Sequence, residues 1–363
     1  MEAKVKRLGI LTGGGDAPGL NAVIRAVAKV AESAGAELYG FLDGYSGLIR
    51  GNYRKMEKRD ISGLLHRGGT MLGTNNRDNP FNFPVQEGDE VVYKDMSDAA
   101  LENLEKLRID RLLVIGGDGS LAIARELTRK GAKIIGVPKT IDNDMQGTDQ
   151  TFGFDTAVTT ATEALDKLHT TAESHHRVMV LELMGRYAGW IALYSGVAGG
   201  ADVILIPEIP WKMEKVAEKI LSRQKEGKPF SIIVVAEGAK TPEGEKIIRE
   251  TIKGSGDPVR LGGISYRIAD MVEKVTGFES RATILGHVQR GGSPSPFDRI
   301  LATRYGEAAG MLALAGEYGK MVSLRNGIIT WVAFEDIPQG CRTVPPDHQL
   351  IKAARNIGIS FGD

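Results

Sequence analysis

Apolar runs of strand length recur along the chain at Leu8 to Leu11, Leu112 to Ile115, Ile134 to Val137, Val178 to Leu181, Val203 to Ile206, Ile232 to Val235 and Ala282 to Leu285. Most are continuous rather than alternating, which predicts strands buried on both faces. Segments of helical period lie between several of them: Leu20 to Val30, Leu121 to Leu127, Val158 to Leu168 and Val216 to Leu221. Strands and helices in alternation predict parallel sheets joined by crossover helices. Ligands in such sheets bind at loops beyond the carboxyl ends of the strands. The glycine-rich loops of this chain follow its apolar runs, where that rule places a site.

Length adds that one core is not enough. The chain has 363 residues, more than a single hydrophobic core usually organises. It is expected to form two Rossmann-like three-layer αβα lobes with mainly parallel sheets and a cleft between them. The expected donor lobe spans residues 1–153 plus about 289–330, the acceptor lobe about 154–288, and a C-terminal extension 331–363. Arg77 to Asp89 and Thr241 to Asp257 read as long surface loops.

Composition then removes classes. There are 46 basic and 46 acidic residues, so a general polyanion binder that neutralises many phosphates is not expected, and any anion site must be local. No run of about 20 uncharged apolar residues could span a bilayer, and Met1 to Arg7 leads into a strand without a signal-peptide core. No nucleic-acid or membrane partner is expected, and the cytoplasm is the expected compartment. A single cysteine, Cys341, excludes an internal disulfide and a thiolate metal cluster. Glycine stands out: 46 residues, against an average usage of about 7%.

Three strand-end loops carry chemistry. In Thr12-Gly13-Gly14-Gly15-Asp16-Ala17-Pro18-Gly19-Leu20-Asn21, three glycines leave amides free to face an anion at a helix start. It is not a Walker A loop, because Leu20-Asn21 stands where Lys-Ser/Thr should follow; a plain tight turn is the alternative. In Gly116-Gly117-Asp118-Gly119-Ser120, a carboxylate between glycines suits Mg²⁺ held with donor phosphates, and Ser120 reads as the N-cap. Alternatively Asp118 only favours the helix start. In Pro138-Lys139-Thr140-Ile141-Asp142-Asn143-Asp144, two carboxylates could act as a base and its partner, with Lys139 on a phosphate, although such Asx-rich stretches also form plain turns. Further Arg-bearing loops at His176-Arg177, Met184-Gly185-Arg186 and Arg281 to Gly292 offer the fixed geometry that suits phosphate. Several together in a neutral chain favour an anionic substrate over isolated ion pairs.

These stretches, with Gly286-His287-Val288-Gln289-Arg290-Gly291-Gly292-Ser293-Pro294, occur in one order from residue 5 to about 315. In that arrangement the chain resembles the 6-phosphofructokinase family. The resemblance implies phosphoryl transfer to the 1-hydroxyl of fructose 6-phosphate in glycolysis, giving fructose 1,6-bisphosphate. It implies Asp142 as general base with Thr140 and Arg186 as catalytic partners, Asp118 as the Mg²⁺-linked carboxylate, and Gly15, Gly117, Asp118, Gly119 and Ser120 as the donor cradle. For the sugar phosphate it implies Thr140, Met184, Gly185, Arg186, Glu237, His287 and Arg290, with Arg177 and Arg281 reaching across a subunit interface of a homodimer or homotetramer. A base of ordinary pKa near 4 would suffice, since positioning and electrostatics dominate phosphoryl transfer.

The donor is read from two positions that pull apart. Gly119 is the ATP-type residue, whereas Lys139 is the type seen with pyrophosphate, and the pair also occurs in ATP users of a mixed-donor branch that Thr171 to Arg177 and Gly189 to Leu193 resemble. Gly119 carries more weight, because a side chain there excludes the α-phosphate sterically while a cation tolerates either donor. ATP is the expected donor and pyrophosphate the alternative. Gly73-Thr74-Asn75-Asn76-Arg77 has one residue more before its Arg than short bacterial ATP enzymes, so Arg77 is given no role. A dinucleotide-dependent dehydrogenase is disfavoured because no Gly-x-Gly-x-x-Gly opens the first helix. A catalytically silent sugar-phosphate subunit is disfavoured because Asp118, Thr140, Asp142 and Arg186 are all in place.

Overall fold

The computed structural model describes residues 5–88, 90–241, 243–244, 248–251 and 259–363. All seven apolar runs lie on strands, and these sort into two sheets. The larger has seven strands in the order Ile328–Ala333, Lys320–Arg325, Ile134–Pro138, Arg111–Gly116, Arg7–Thr12, Glu37–Phe41 and Tyr53–Lys55. Its two outermost strands are antiparallel to their neighbours, and the rest are parallel. The smaller has four parallel strands, Ser280–Ile284, Val178–Leu183, Ser231–Ala236 and Val203–Leu205.

Alternation within each central strand sends neighbouring side chains to opposite faces, and each face acquires its own apolar layer. On the larger sheet Leu8, Ile10, Leu113 and Ile135 pack with helices Leu20–Ala34 and Pro296–Leu314. Leu11, Leu112, Val114 and Ile134 pack on the other face with helices Ser97–Lys106 and Asp118–Arg129. The smaller sheet is covered likewise, by helices Phe154–His175 and Trp190–Ala198 on one face and Met213–Lys225 and Ile264–Thr276 on the other. Each lobe therefore has three layers, as continuous apolar strands demand.

The chain passes from the first sheet to the second at Gly153, whose φ of 94° favours glycine, and returns through the 3₁₀ turn Gly286–Arg290. Buried Asp298 joins the two crossings by accepting from the Thr156 amide at 2.8 Å and from its hydroxyl at 2.5 Å. Residues read as a C-terminal extension are built into both sheets. Ile328–Ala333 forms an edge of the larger one. Val344, Ile351, Ala354 and Phe361 complete the core beside Leu181 and Ile204, and the Ile204 amide donates to the Ser360 carbonyl at 2.9 Å.

The stretch Arg77 to Asp89 is not loop throughout. Phe83–Glu87 pairs with Glu90–Lys94 as a hairpin turning at Gly88, which has φ 62°. Its apolar positions are too few and too exposed to stand out as a strand. Of the other stretch read as a loop, residues 242, 245–247 and 252–257 lie outside the described residues, as do Met1 to Lys4 and Asp89. Ile248–Thr251 within it is a strand paired with Val259–Leu261.

Candidate active site

The first two glycine loops are locked together, which changes the role given to the glycines. The Gly13 amide donates to the Ile115 carbonyl at 2.8 Å and the Gly14 amide to the Asn75 carbonyl at 3.1 Å. Among the described residues, only the Gly15 amide of the three lacks such a bond. The triplet is thus a close-approach device more than an anion nest. A Cβ on Gly13 would lie 2.6 Å from the Ser120 hydroxyl, and one on Gly15 would lie 2.8 Å from Arg290 Nη1. Ser120 is not the N-cap: helix Asp118–Arg129 starts two residues earlier, with Gly117 in the cap position and Asp118 in the first turn. An acidic first-turn residue is favoured there by the helix dipole. Around Gly119 a Cβ would meet nothing within 4 Å, so a side chain at this position would enter open space.

Lys139 links the third loop to the first. Its backbone amide donates to the Gly116 carbonyl at 3.0 Å, and its buried ammonium donates to the Gly15 carbonyl. Burial and then neighbouring Arg290 lower its pKa to about 8. Arg290 itself donates to the Asp16 carbonyl at 3.0 Å. Two cationic side chains therefore back the donor loops from the side of Asp142.

Asp142 is half-buried in the centre of this arrangement, with its Oδ1 shielded from solvent. Its amide donates to the Thr140 hydroxyl at 3.1 Å, and its Oδ1 has no hydrogen-bond partner among the described residues. Burial, and then Asp144, push its pKa up to about 7, against the smaller opposing pull of Arg290 and Arg186. The expectation of an ordinary carboxylate near 4 is thereby corrected: a charge held away from water is disfavoured. Asp118, solvent-accessible at its helix start, is also pushed to about 7, by partial desolvation and then by Asp144. Asp118 and Asp142 thus share one negative neighbour and lie within a single acidic group.

The second sheet faces this group with its own strand ends. Val178–Leu183 runs into Met184-Gly185-Arg186 and Ser231–Ala236 into Glu237. The Glu237 amide donates to the Leu183 carbonyl at 2.8 Å and the Gly238 amide to the Gly185 carbonyl at 3.1 Å, which fixes both corners side by side. Gly185 has φ 138°, a conformation that a side chain would strain. Burial raises the Glu237 pKa, and Arg186 opposes it. Since Arg186 and Glu237 both act electrostatically on Asp142, the carboxyl ends of the two sheets point at one another.

Not every expected residue joins them. Arg177 precedes strand Val178–Leu183 and Arg281 is the second residue of Ser280–Ile284. Both pair with Glu279, Arg177 at 2.7 Å. Six strand residues separate Arg177 from Met184, about 20 Å at ~3.3 Å per residue, so it stands at the opposite end of the sheet. His287 is exposed on the turn Gly286–Arg290, and Arg77 is exposed in its loop.

Three residues at the site escaped sequence reasoning. Gln289, wholly buried, accepts from the Met184 amide at 2.8 Å and ties the 3₁₀ turn to the Met184-Gly185-Arg186 corner. Cys341 donates to Asp144 Oδ2 at 3.2 Å, its thiol held protonated by burial and by the Asp144 charge. Arg342 donates through Nη2 to the Asn143 carbonyl at 2.6 Å. Gln289 lay inside a motif already quoted; Cys341 and Arg342 lie about 200 positions downstream of their partners, with no local signal to connect them.

The fold and site define an α/β protein with two lobes whose strand ends converge on one acidic and cationic cleft. The family model for phosphofructokinase matches residues 7–313. ATP-dependent 6-phosphofructokinase 2 of Clostridium perfringens is 51% identical over 366 residues, covering 100% of both chains. The ATP-dependent 6-phosphofructokinase of Chloroflexus aurantiacus is 52% identical over 365 residues, covering 100% of this chain and 99% of the relative. Among solved structures, Pichia pastoris phosphofructokinase superposes with a TM-score of 0.78 at 32% identity, over 93% of this chain and 36% of that one. This chain belongs to the phosphofructokinase family.

Proposed function

We propose that the protein transfers the γ-phosphoryl group of ATP to the 1-hydroxyl of fructose 6-phosphate, giving fructose 1,6-bisphosphate and ADP in glycolysis. Full-length relatives at about half identity are named ATP-dependent 6-phosphofructokinases. The observation that carries the site is Asp142: a half-buried carboxylate whose shielded Oδ1 has no partner among the described residues, within electrostatic reach of Arg290 on the donor side and of Arg186 and Glu237 on the acceptor side. As general base it accepts the hydroxyl proton as the oxygen attacks phosphorus, and a pKa near 7 suits that task at neutral pH. Arg186 and Arg290 offset charge on the transferring oxygens, where positioning and electrostatics do most of the catalysis. Thr140, Met184, Gly185, Glu237 and His287 orient the sugar phosphate, and Gly15, Gly117, Gly119 and Ser120 line the donor.

Mg²⁺ fits the acidic group. Asp118 is a solvent-accessible carboxylate at its helix start whose ionisation is opposed by partial desolvation and by Asp144, a situation that a cation relieves. No group of three metal-ligating side chains occurs among the described residues, which suits an ion held by one carboxylate together with donor phosphates and water. Bound there, Mg²⁺ would neutralise charge on the donor phosphates. Arg177 and Arg281, remote from Asp142 in their own chain, serve the sugar phosphate of a second copy in a homodimer or homotetramer. No helix among the described residues is long and apolar enough to cross a membrane, and the cytoplasm is the proposed compartment.

An assay coupled to fructose 1,6-bisphosphate formation, run in parallel with ATP and with pyrophosphate, tests this directly. Turnover with ATP supports the reading; turnover with pyrophosphate alone overturns the donor and leaves the acceptor standing.

A further inference from the structure

We infer that Arg342 is a positioning residue for the catalytic loop, acting through Asn143. This deepens the reading of Asp142 as general base and rests on it. Asn143, between the two loop carboxylates, is buried and held at φ 53°, the left-handed region that asparagine adopts more readily than other residues with a side chain. It is gripped at both ends. Its side-chain Oδ1 accepts from the Thr151 amide at 3.0 Å, within the same loop. Its carbonyl accepts from Arg342 Nη2 at 2.6 Å, and that donor comes from about 200 residues downstream.

The tail around Arg342 is fastened to the loop at further points. The Arg342 amide donates to the Asp144 carbonyl at 2.7 Å, and the Cys341 thiol to the Asp144 carboxylate at 3.2 Å. Its other side is anchored in the second lobe. Trp190 Nε1 donates to the Arg342 carbonyl at 2.8 Å, and the guanidinium lies over the Trp190 ring at 4.7 Å. Glu208 then accepts from the amides of both Val344, at 2.8 Å, and Gly189, at 3.0 Å. Gly189 and Trp190 follow the Met184-Gly185-Arg186 corner by only a few residues. Residues 341–344 therefore form a strap that sets the acid-bearing loop of one lobe against the sugar-phosphate corner of the other. A misplacement of about 1 Å in such a geometry can cost on the order of a hundredfold in rate.

The test is steady-state kinetics of four variants of the full chain, with thermal unfolding followed in parallel. Arg342→Ala is expected to lower kcat about 10- to 100-fold with KM for both substrates within about twofold, since the strap orients the base rather than binding substrate. Arg342→Lys, which keeps a donor for the Asn143 carbonyl, is expected to recover part of that loss. Trp190→Phe removes the indole donor and leaves a smaller ring under the guanidinium, and is expected to lower kcat less; it also serves if Arg342→Ala fails to fold. Asp142→Asn is the reference. Full turnover in Asp142→Asn overturns the general-base reading and the inference with it. Crippled Asp142→Asn beside an unimpaired Arg342→Ala, or a loss confined to KM, or no recovery in Arg342→Lys, overturns the inference alone.

Discussion

The buried ammonium of Lys139 donates to the carbonyl of Gly15, so this cation beside the donor loops is already engaged by the protein's own backbone. A charge held behind the loops in this way attracts any polyphosphate and selects poorly between donors. Selection falls instead on Gly119, where an added Cβ would meet no protein atom within 4 Å. Gly119→Asp is predicted to leave the melting temperature nearly unchanged, since nothing is displaced. The variant should raise KM for ATP at least about tenfold through steric conflict and charge repulsion. Kinetics with ATP and with pyrophosphate check this; an unchanged KM for ATP would remove Gly119 from the donor site.

Stability should carry the imprint of Asp142. Desolvation raises its pKa in the folded protein to about 7, whereas its ordinary value is 3.8. On raising the pH the unfolded chain releases this proton first. The stability gained from the neutral form is therefore full below about pH 4 and lost as the pH rises through about 7. Asparagine at position 142 never charges. In protein free of substrate and metal, Asp142→Asn is predicted to melt higher than wild type at pH 8, with the difference closing below about pH 4. Calorimetry across that range measures it, and a variant less stable than wild type at pH 8 would contradict it.

Much of this molecule was legible from sequence because its chemistry is local. The continuous runs at Leu112 to Ile115 and Val178 to Leu181 can be satisfied only by strands covered on both sides, and the loops that follow them inherit a place at the carboxyl ends. What escaped depends on contacts between distant segments. Nothing around Cys341 and Arg342 announces that they meet Asp144 and Asn143. The hairpin Phe83–Glu87 and Glu90–Lys94 escaped for another reason: it buries too little apolar surface to impose a pattern. The elevated pKa of Asp142 was also invisible, because its largest cause is desolvation in the folded chain, with the nearby Asp144 only the second.

Arg177 and Arg281 give a prediction about assembly. Both stand on Glu279 at the amino ends of their strands, away from Asp142. If their target is the sugar phosphate of a second copy, Arg281→Ala and Asp142→Asn disable different subunits' contributions. Mixing the two inactive variants under conditions of subunit exchange is predicted to restore up to about a quarter of wild-type activity, since half the random dimers carry one intact site of two. No recovery in mixtures shown to exchange would place both arginines outside the site.

Arg290 reaches the Asp16 carbonyl while also acting electrostatically on Asp142. Arg290→Lys keeps the charge and loses the fork, and it is predicted to reduce kcat/KM for fructose 6-phosphate by about tenfold or more. Steady-state kinetics with the acceptor varied at saturating ATP check this.

The most direct measurement compares turnover and acceptor binding in Asp142→Asn, with ATP and Mg²⁺ present for the kinetics and fructose 6-phosphate titrated calorimetrically. A general base placed beside the attacking oxygen predicts a fall in kcat of about 10²–10⁴ with Kd for fructose 6-phosphate within a few-fold of wild type. Retention of kcat, or a loss explained entirely by weakened binding of the sugar phosphate, would contradict it.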